Sequence, residues 1–157
     1  MLRLVLDTNV VLDLVHWVDS DAAPIMAALA GRQVVCLADT GTLDELQRVL
    51  SYPEFGLTPE MAVDRYRRYS GLVQLVPDGD SPPLPRCKDR DDQKFLELAA
   101  RAGADGLVSK DRALLKLRGR TQLGFRILQP ADASVLIQSR RRRNTHVRSS
   151  ETSGAKA

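Results

Sequence analysis

The chain opens with Leu2-Arg3-Leu4-Val5-Leu6-Asp7-Thr8-Asn9, a short apolar run that ends abruptly in polar residues. A run of this length predicts a buried strand that leads into a loop. Similar apolar runs recur along the chain, and capped or amphipathic helical segments separate them. These further runs are Gln33–Leu37, Leu72–Val76, Gly106–Ser109 and Phe125–Leu128. Apolar strands that alternate with helices are typical of a parallel sheet covered by helices on both faces.

The composition is that of a globular protein of one domain. The chain has 157 residues, of which 43% are hydrophobic and 27% charged, so it can bury a substantial core. No stretch approaches the roughly 18 apolar residues of a membrane span, and the early Asp7 argues against a signal peptide. The two cysteines, Cys36 and Cys87, suit a reducing compartment and show no zinc-ligand spacing. We therefore expect a cytoplasmic protein with no membrane partner.

The positive net charge is concentrated at the C-terminal end. Residues 139–157 contain six Arg and Lys against one Glu, whereas residues 1–138 contain 17 basic and 19 acidic side chains. The end segment is rich in Ser, Thr, Gly and Ala and has no apolar periodicity. These features predict a folded domain over 1–138 and a basic, disordered extension over 139–157. The extension could attract phosphate groups loosely or be merely a solvated terminus, and the sequence leaves both interpretations open.

Acidic side chains follow several of the predicted strands or begin the helices between them. They are Asp7, Glu45, Asp89, Asp91, Asp92 and Asp111. Ligands of parallel sheets bind beyond the carboxyl ends of the strands, so acids that are distant in sequence can converge at one edge. Converging carboxylates repel one another unless a cation lies between them. Oxygen ligands without Cys or His favour Mg²⁺ or Mn²⁺, and this predicts metal-assisted hydrolysis of a phosphodiester.

Four blocks of the sequence resemble those of the PIN domain nucleases, in the same order and over roughly residues 2–137. They are Leu4-Val5-Leu6-Asp7-Thr8-Asn9-Val10-Val11, Thr42-Leu43-Asp44-Glu45-Leu46-Gln47-Arg48-Val49-Leu50, Cys87-Lys88-Asp89-Arg90-Asp91-Asp92-Gln93-Lys94-Phe95-Leu96 and Ala102-Gly103-Ala104-Asp105-Gly106-Leu107-Val108-Ser109-Lys110-Asp111-Arg112. Within that family the chain is most similar to VapC-like toxins of type II toxin–antitoxin systems. The resemblance implies an α/β fold, a three-layer α/β/α sandwich with a central, mostly parallel five-stranded sheet. It also implies that the first and fourth strands are neighbours.

The resemblance also assigns the site residues. The four family acids, which would hold the metal and carry catalysis, match Asp7, Glu45, Asp92 and Asp111. Thr8, Asn9 and Ser109 match supporting polar neighbours of those acids, and Asp91 is a further candidate.

Each acid also has a purely structural interpretation. Asp7 and Asp111 could only cap the helices that follow them, and one of the acids between Asp89 and Asp92 should do so. Thr42-Leu43-Asp44-Glu45 fits a capping box, which would occupy Glu45 at the start of a helix.

The function implied by the resemblance is metal-dependent endoribonuclease activity on single-stranded RNA, with Mg²⁺ or Mn²⁺ as cofactor. A toxin of this class would have a cognate antitoxin and could form a homodimer. An alternative is a catalytically degenerate module of the same fold that binds RNA or protein. Ala113 favours this alternative, because relatives often have a further acid at that position. A phosphomonoesterase with an aspartyl nucleophile is a second alternative, although Asn9 stands where such enzymes usually have a second acid.

Overall fold

The computed structural model describes the backbone of residues 1–151 and the side chains of residues 1–145. The strands are β1 (Leu2–Leu6), β2 (Val34–Ala38), β3 (Val73–Leu75), β4 (Gly106–Val108) and β5 (Arg126–Leu128). The α-helices are α1 (Thr8–Leu12), α2 (Ala23–Ala30), α3 (Thr40–Leu50), α4 (Pro59–Ser70), α5 (Gln93–Arg101), α6 (Arg112–Leu115) and α7 (Pro130–Glu151). A π-helical turn covers Asp13–Trp17, and 3₁₀ turns cover Pro53–Phe55 and Arg90–Asp92.

All five strands form one parallel sheet in the order β3-β2-β1-β4-β5. The predicted five-stranded parallel sheet, with the first and fourth strands adjacent, is confirmed. The chain moves from β1 to β2 and β3 on one side, and then crosses to β4 and β5 on the other. The register pairs Leu6 with Val108, so β1 and β4 end side by side at the point where the strand order reverses. Such a switch point is where open α/β sheets place their ligands.

The buried side chains form one apolar layer on each face of the sheet. In β1, Leu4 and Leu6 point to the layer covered by α1, α2, α3, α4 and α7, whereas Val5 points to the layer covered by α5 and α6. This alternation is the two-residue period of a strand, and it gives the three-layer α/β/α architecture. None of the described helices is both long and apolar enough to cross a lipid bilayer.

Helix α3 begins two residues before the start expected from the sequence. Asp39, which directly follows β2, accepts a hydrogen bond from the Thr42 N–H at 2.9 Å, and Thr42 Oγ1 accepts one from the Asp39 N–H at 3.1 Å. This pair is the capping box of α3. The alternative interpretation of Thr42 and Glu45 as a capping box is therefore wrong, and Glu45 lies one turn inside the helix, where its carboxylate has no capping task.

Helix α7 continues well into the segment for which the sequence predicts disorder. The segment from 139 to 151 is helical, while residues 152–157 lie outside the described residues. Arginine has a high helix propensity, and no Gly or Pro interrupts the segment before Gly154. The hydroxyls of Ser139 and Thr145 donate hydrogen bonds to carbonyls about one turn earlier in the helix. Position 138 is therefore not the end of a helix, and the proposed division of domains there remains a prediction.

Candidate metal centre

A buried serine connects the acid after β1 to the acid after β4. The Asp7 N–H bonds the Val108 carbonyl at 2.9 Å, so the first residue beyond β1 remains attached to β4. Ser109, which is completely buried, donates its hydroxyl to Asp7 Oδ2 at 2.6 Å and accepts a hydrogen bond from the Asp111 N–H at 2.9 Å. One hydroxyl thus fixes the distance between the two strand ends. Ser109 therefore connects the carboxylate of Asp7 to the backbone of Asp111.

Three carboxylates face one another in front of these strand ends. Asp89, Asp92 and Asp111 each place one oxygen within 4.8 Å of the others. Asp89 and Asp92 share a side because the 3₁₀ turn between them has three residues per turn, which aligns positions i and i+3. Asp91 falls on the exposed side of that turn, and only its N–H is engaged, by Asp89 Oδ1. Asp91 therefore stands outside this group.

Asp92 has a strongly raised pKa and an unpartnered carboxylate oxygen. Burial, followed by the negative charges of Asp7, Asp111 and Asp89, raises the pKa of Asp92 to about 7. Its Oδ2 atom is buried and has no hydrogen-bond partner among the described residues. Burying a carboxylate oxygen without a hydrogen-bond donor destabilises the fold, and binding a cation or a proton would relieve this.

The pKa of Asp7 is raised as well. Burial is the largest cause, and the charges of Asp111 and Glu45 add to it, whereas the Ser109 hydroxyl and the Asn9 N–H act in the opposite direction. The Asn9 contact is long, at 3.4 Å, and the Asn9 side chain is exposed. These influences place Asp7 within electrostatic range of Glu45, Asp92 and Asp111, so all four predicted acids converge at one edge of the sheet.

Glu45 is already paired. Its Oε2 accepts a hydrogen bond from Thr8 Oγ1 at 2.5 Å, and its Oε1 lies 2.7 Å from Lys94 Nζ. Arg48 approaches the same oxygen more distantly, at 3.8 Å. Thr8 therefore holds Glu45 rather than the loop of Asp7. The charge of Glu45 is therefore compensated by Lys94. Glu45 lies outside the group of Asp89, Asp92 and Asp111.

Cys87 lies beside the acids without joining them as a ligand. Its thiol is buried, and burial raises its pKa, with the nearby charges of Asp92, Asp111 and Asp89 acting in the same direction. A thiol held in its protonated form is a poor metal ligand. The donor set is therefore made of carboxylate oxygens, which is the chemistry that Mg²⁺ and Mn²⁺ favour over zinc.

The sequence does not single out two residues of this centre. Asp89 is one of the acids before α5, but its alignment with Asp92 depends on a 3₁₀ turn that the residue pattern does not specify. Lys94 lies on α5 and meets Glu45 on α3, so only the packing of the two helices brings them together. The neighbouring Lys110 is also engaged, because its Nζ lies 2.5 Å from the buried carboxylate of Asp13.

A family model described as PIN domain matches residues 3–113, which include all the acids above. The chain belongs to the PIN domain family. PIN domains are generally nucleases that use divalent metals. The centre of this PIN domain fits such an ion, because its ligands are carboxylate oxygens and one of them is buried without a donor.

A solved structure of similar fold is that of VapBC2 from Rickettsia felis bound to a DNA fragment from their promoter. The match has a TM-score of 0.56 at 12% sequence identity and covers 82% of this chain and 98% of the other. At that identity the likeness bears on the fold of the PIN domain. No curated protein matches the chain.

Proposed function

We propose that this PIN domain is a metal-dependent endoribonuclease that hydrolyses phosphodiester bonds of single-stranded RNA. The observation that carries the proposal is the buried, unpartnered Oδ2 of Asp92 within a group of carboxylates. Acids that share one edge without a counter-charge destabilise the fold, and a divalent ion would remove that cost. Phosphodiester hydrolysis is a reaction for which carboxylate-bound Mg²⁺ or Mn²⁺ is well suited.

Asp89, Asp92 and Asp111 would hold the ion, and Asp7 would complete the set directly or through a water molecule. A bound ion would supply an activated water and stabilise the negative charge that develops on the phosphoryl oxygens. Ser109 keeps Asp7 and Asp111 at a fixed separation, so the protein does not need to reorganise on binding. Glu45 is held by Thr8 and Lys94, and its position beside Asp7 suits it to orient the attacking water rather than to ligate.

We further propose that the protein is the toxin of a type II toxin–antitoxin pair and acts in the cytoplasm. The family assignment and the fold shared with a VapBC2 structure support this choice. A cognate antitoxin would cover the acidic edge of the sheet and could compensate its charge with a basic side chain. A homodimer is part of the same proposal.

The test is cleavage of a single-stranded RNA with Mn²⁺, with EDTA, and with the Asp7→Asn variant. Cutting that requires the metal and is lost in Asp7→Asn would support the enzyme. Asp44→Asn is the matched control, because Asp44 is an exposed acid next to Glu45 that lies away from the centre. That variant should cut at the normal rate.

The melting temperature gives a second measurement that does not depend on the choice of RNA. Mn²⁺ should raise it in the native chain and in Asp44→Asn, and much less in Asp7→Asn. Intact RNA together with an unchanged melting temperature would contradict the proposal and favour the degenerate binding module.

A further inference from the structure

A basic groove lies at the edge of the sheet opposite the acids. It has a volume of about 1170 Å³ and opens between the first residues of β1 and β2 and the middle of α7. Its lining includes Arg32 and the run Arg140–Arg143. No acidic side chain belongs to the lining, and none of these arginines forms an ion pair within the described part of the chain.

Arg32 reaches this groove from a backbone conformation that side chains rarely adopt. It follows the last turn of α2 with a φ of 53°, a left-handed position that usually holds glycine. The two hydrogen bonds that close the turn, from the N–H groups of Arg32 and Gln33 to Leu29 and Ala28, fix this conformation. An arginine at a strained position, in the lining of a groove that four other arginines also line, indicates a use for its charge.

The distribution of charge along the chain explains why such a surface would be needed. Residues 1–138 contain more acidic than basic side chains, and the metal centre is itself a concentration of negative charge. A polyanion would be repelled from that body unless positive charge acts elsewhere on the molecule. The continuation of α7 carries the arginine run along the border of the groove, where it can supply that attraction.

We propose that this groove binds the sugar–phosphate backbone of a single-stranded nucleic acid, namely the strand whose cleavage is proposed above, on which this inference rests. Guanidinium groups pair with phosphates through two parallel hydrogen bonds. Arg32 and Arg140–Arg143 are all exposed, and all five line the groove, so their guanidinium groups are accessible to successive phosphates of one strand. The groove and the acidic edge lie at opposite ends of β1, whose five residues are roughly 16 Å long, so a strand bound in the groove would pass over the surface to reach the acids.

The test measures binding without cleavage. The chain carrying Asp7→Asn, in EDTA, is titrated against a fluorescein-labelled 20-nucleotide RNA between 50 and 200 mM salt, and anisotropy reports the affinity. Replacing Arg32 and Arg140–Arg143 together by Gln should weaken binding at least tenfold at 50 mM salt. The slope of log affinity against log salt should fall by about 3.5 if each of the five arginines neutralises one phosphate, since single strands release roughly 0.7 counterion per neutralised phosphate. Glutamine has a helix propensity close to that of arginine, so α7 should persist.

Two controls separate the groove from general charge. The same five positions changed to Lys should keep the salt slope within about 1 unit, because the charges remain. The pair Arg141→Gln with Arg142→Gln should lower the affinity more than Arg67→Gln with Arg68→Gln, which removes two exposed arginines of α4. Equal losses in the two pairs, or an unchanged slope in the Gln variant, would overturn the proposal.

Two further ligands distinguish sources of negative charge. The Gln variant should lose affinity for single-stranded DNA of the same sequence about as much as for RNA, because phosphate contacts carry little information on the sugar. A loss of affinity for DNA or for poly-glutamate, without a loss of affinity for RNA, would overturn the assignment. The nuclease proposal is tested separately by cleavage. A negative result for the groove would therefore not decide whether the chain cleaves RNA.

Discussion

At the scale of single residues, the centre depends on a hydroxyl held by two hydrogen bonds, that of Ser109, and on a carboxylate with a raised pKa, that of Asp92. The Ser109 hydroxyl donates a hydrogen bond to Asp7, and its oxygen accepts a hydrogen bond from the Asp111 N–H. Asp92 has a buried oxygen without a donor, and its proton is retained up to neutral pH. Ser109 therefore positions the acids. Asp92 retains the unfavourable free energy of burying a carboxylate among other carboxylates.

Ser109→Ala should impair the centre beyond its effect on stability. The change leaves Asp7 Oδ2 and the Asp111 N–H without their partner, so the free energy of unfolding should fall by about 1–3 kcal/mol. The pKa of Asp7 should rise further, because this hydroxyl lowers it. The acid limb of the pH–rate profile should therefore move to higher pH, and the rate at pH 7 should fall about tenfold.

Ser134→Ala is the control for that prediction. Ser134 is also buried, and its hydroxyl bonds the Asp21 carbonyl at 2.8 Å, away from the acids. The variant should lose a similar amount of stability and keep its pH profile. Identical profiles in Ser109→Ala and the native chain would show that the serine does not act on the centre.

Asp92→Asn should stabilise the metal-free protein in a pH-dependent way. Because the folded state raises the pKa of Asp92 from 3.8 to about 7, ionisation of this group opposes folding. The penalty is absent well below pH 4, grows between pH 4 and 7, and is complete above pH 7. In EDTA, the variant should therefore melt a few degrees higher than the native chain at pH 8, equivalent to roughly 1 kcal/mol, and match it at pH 4.

The same variant should lose most of the rise in melting temperature that Mn²⁺ produces, because it lacks a ligand oxygen with full charge. A stabilisation that does not change with pH, or an undiminished response to Mn²⁺, would contradict this interpretation of Asp92. Scanning calorimetry at the two pH values, with and without the metal, gives all four measurements.

At the scale of elements, short turns at strand ends determine which side chains face the centre. The 3₁₀ turn Arg90–Asp92 aligns Asp89 with Asp92 and turns Asp91 outward. The cap at Asp39 starts α3 directly after β2, and this start sets the position of Glu45 one turn later. Asp39 also pairs with Arg101 of α5 at 2.6 Å, so a single acid ties the beginning of α3 to the end of α5.

Replacements of Asp39 should separate its two tasks. Asp39→Asn keeps a good capping side chain and loses the ion pair with Arg101, whereas Asp39→Ala loses both. Urea denaturation should therefore show Asp39→Ala to be less stable than Asp39→Asn by about 1 kcal/mol. Thr58→Ala, which removes the cap of α4, is expected to cost a similar amount on its own. Equal stabilities of the two Asp39 variants would mean that the ion pair alone accounts for the role of this residue.

At the scale of the whole molecule, the order of the strands separates two kinds of charge. The carboxyl ends of β1 and β4 carry the acids, and the opposite ends of β1 and β2 border the arginine groove. Close contact between β1, β4 and β5 is required to place Asp7 beside Ser109 and Asp111. At Gly106 there is little room for a side chain, since a Cβ there would lie 3.3 Å from the Leu4 side chain and 3.2 Å from the Leu128 side chain.

Gly106→Val should therefore push the strands apart. Overpacking of this kind costs about 1–3 kcal/mol of unfolding free energy, and it should also reduce the response of the melting temperature to Mn²⁺. Gly124→Ala is the control, because a Cβ at Gly124 has no neighbour within 4 Å among the described residues. A tolerated Gly106→Val, with native stability and metal response, would show that the spacing of these strands does not govern the centre.

The sequence alone determined the succession of strands and helices and the two acids that end β1 and precede α6. These features are local, since a two-residue or 3.6-residue period and an acid after an apolar run are visible in a short window. The arginine run of α7 is helical although its high polarity favours disorder, because arginine also has a high helix propensity. The resemblance to PIN domains added the order of the strands and the place of Glu45.

Only the tertiary structure decided which oxygens meet. Asp89 joins Asp92 and Asp111 through the geometry of a turn, and Lys94 neutralises Glu45 across two packed helices. The arginine groove likewise combines a turn after α2 with a helix about a hundred residues later. Such contacts depend on strand order, helix packing and side-chain direction, and those are properties of the folded chain rather than of any short stretch of it.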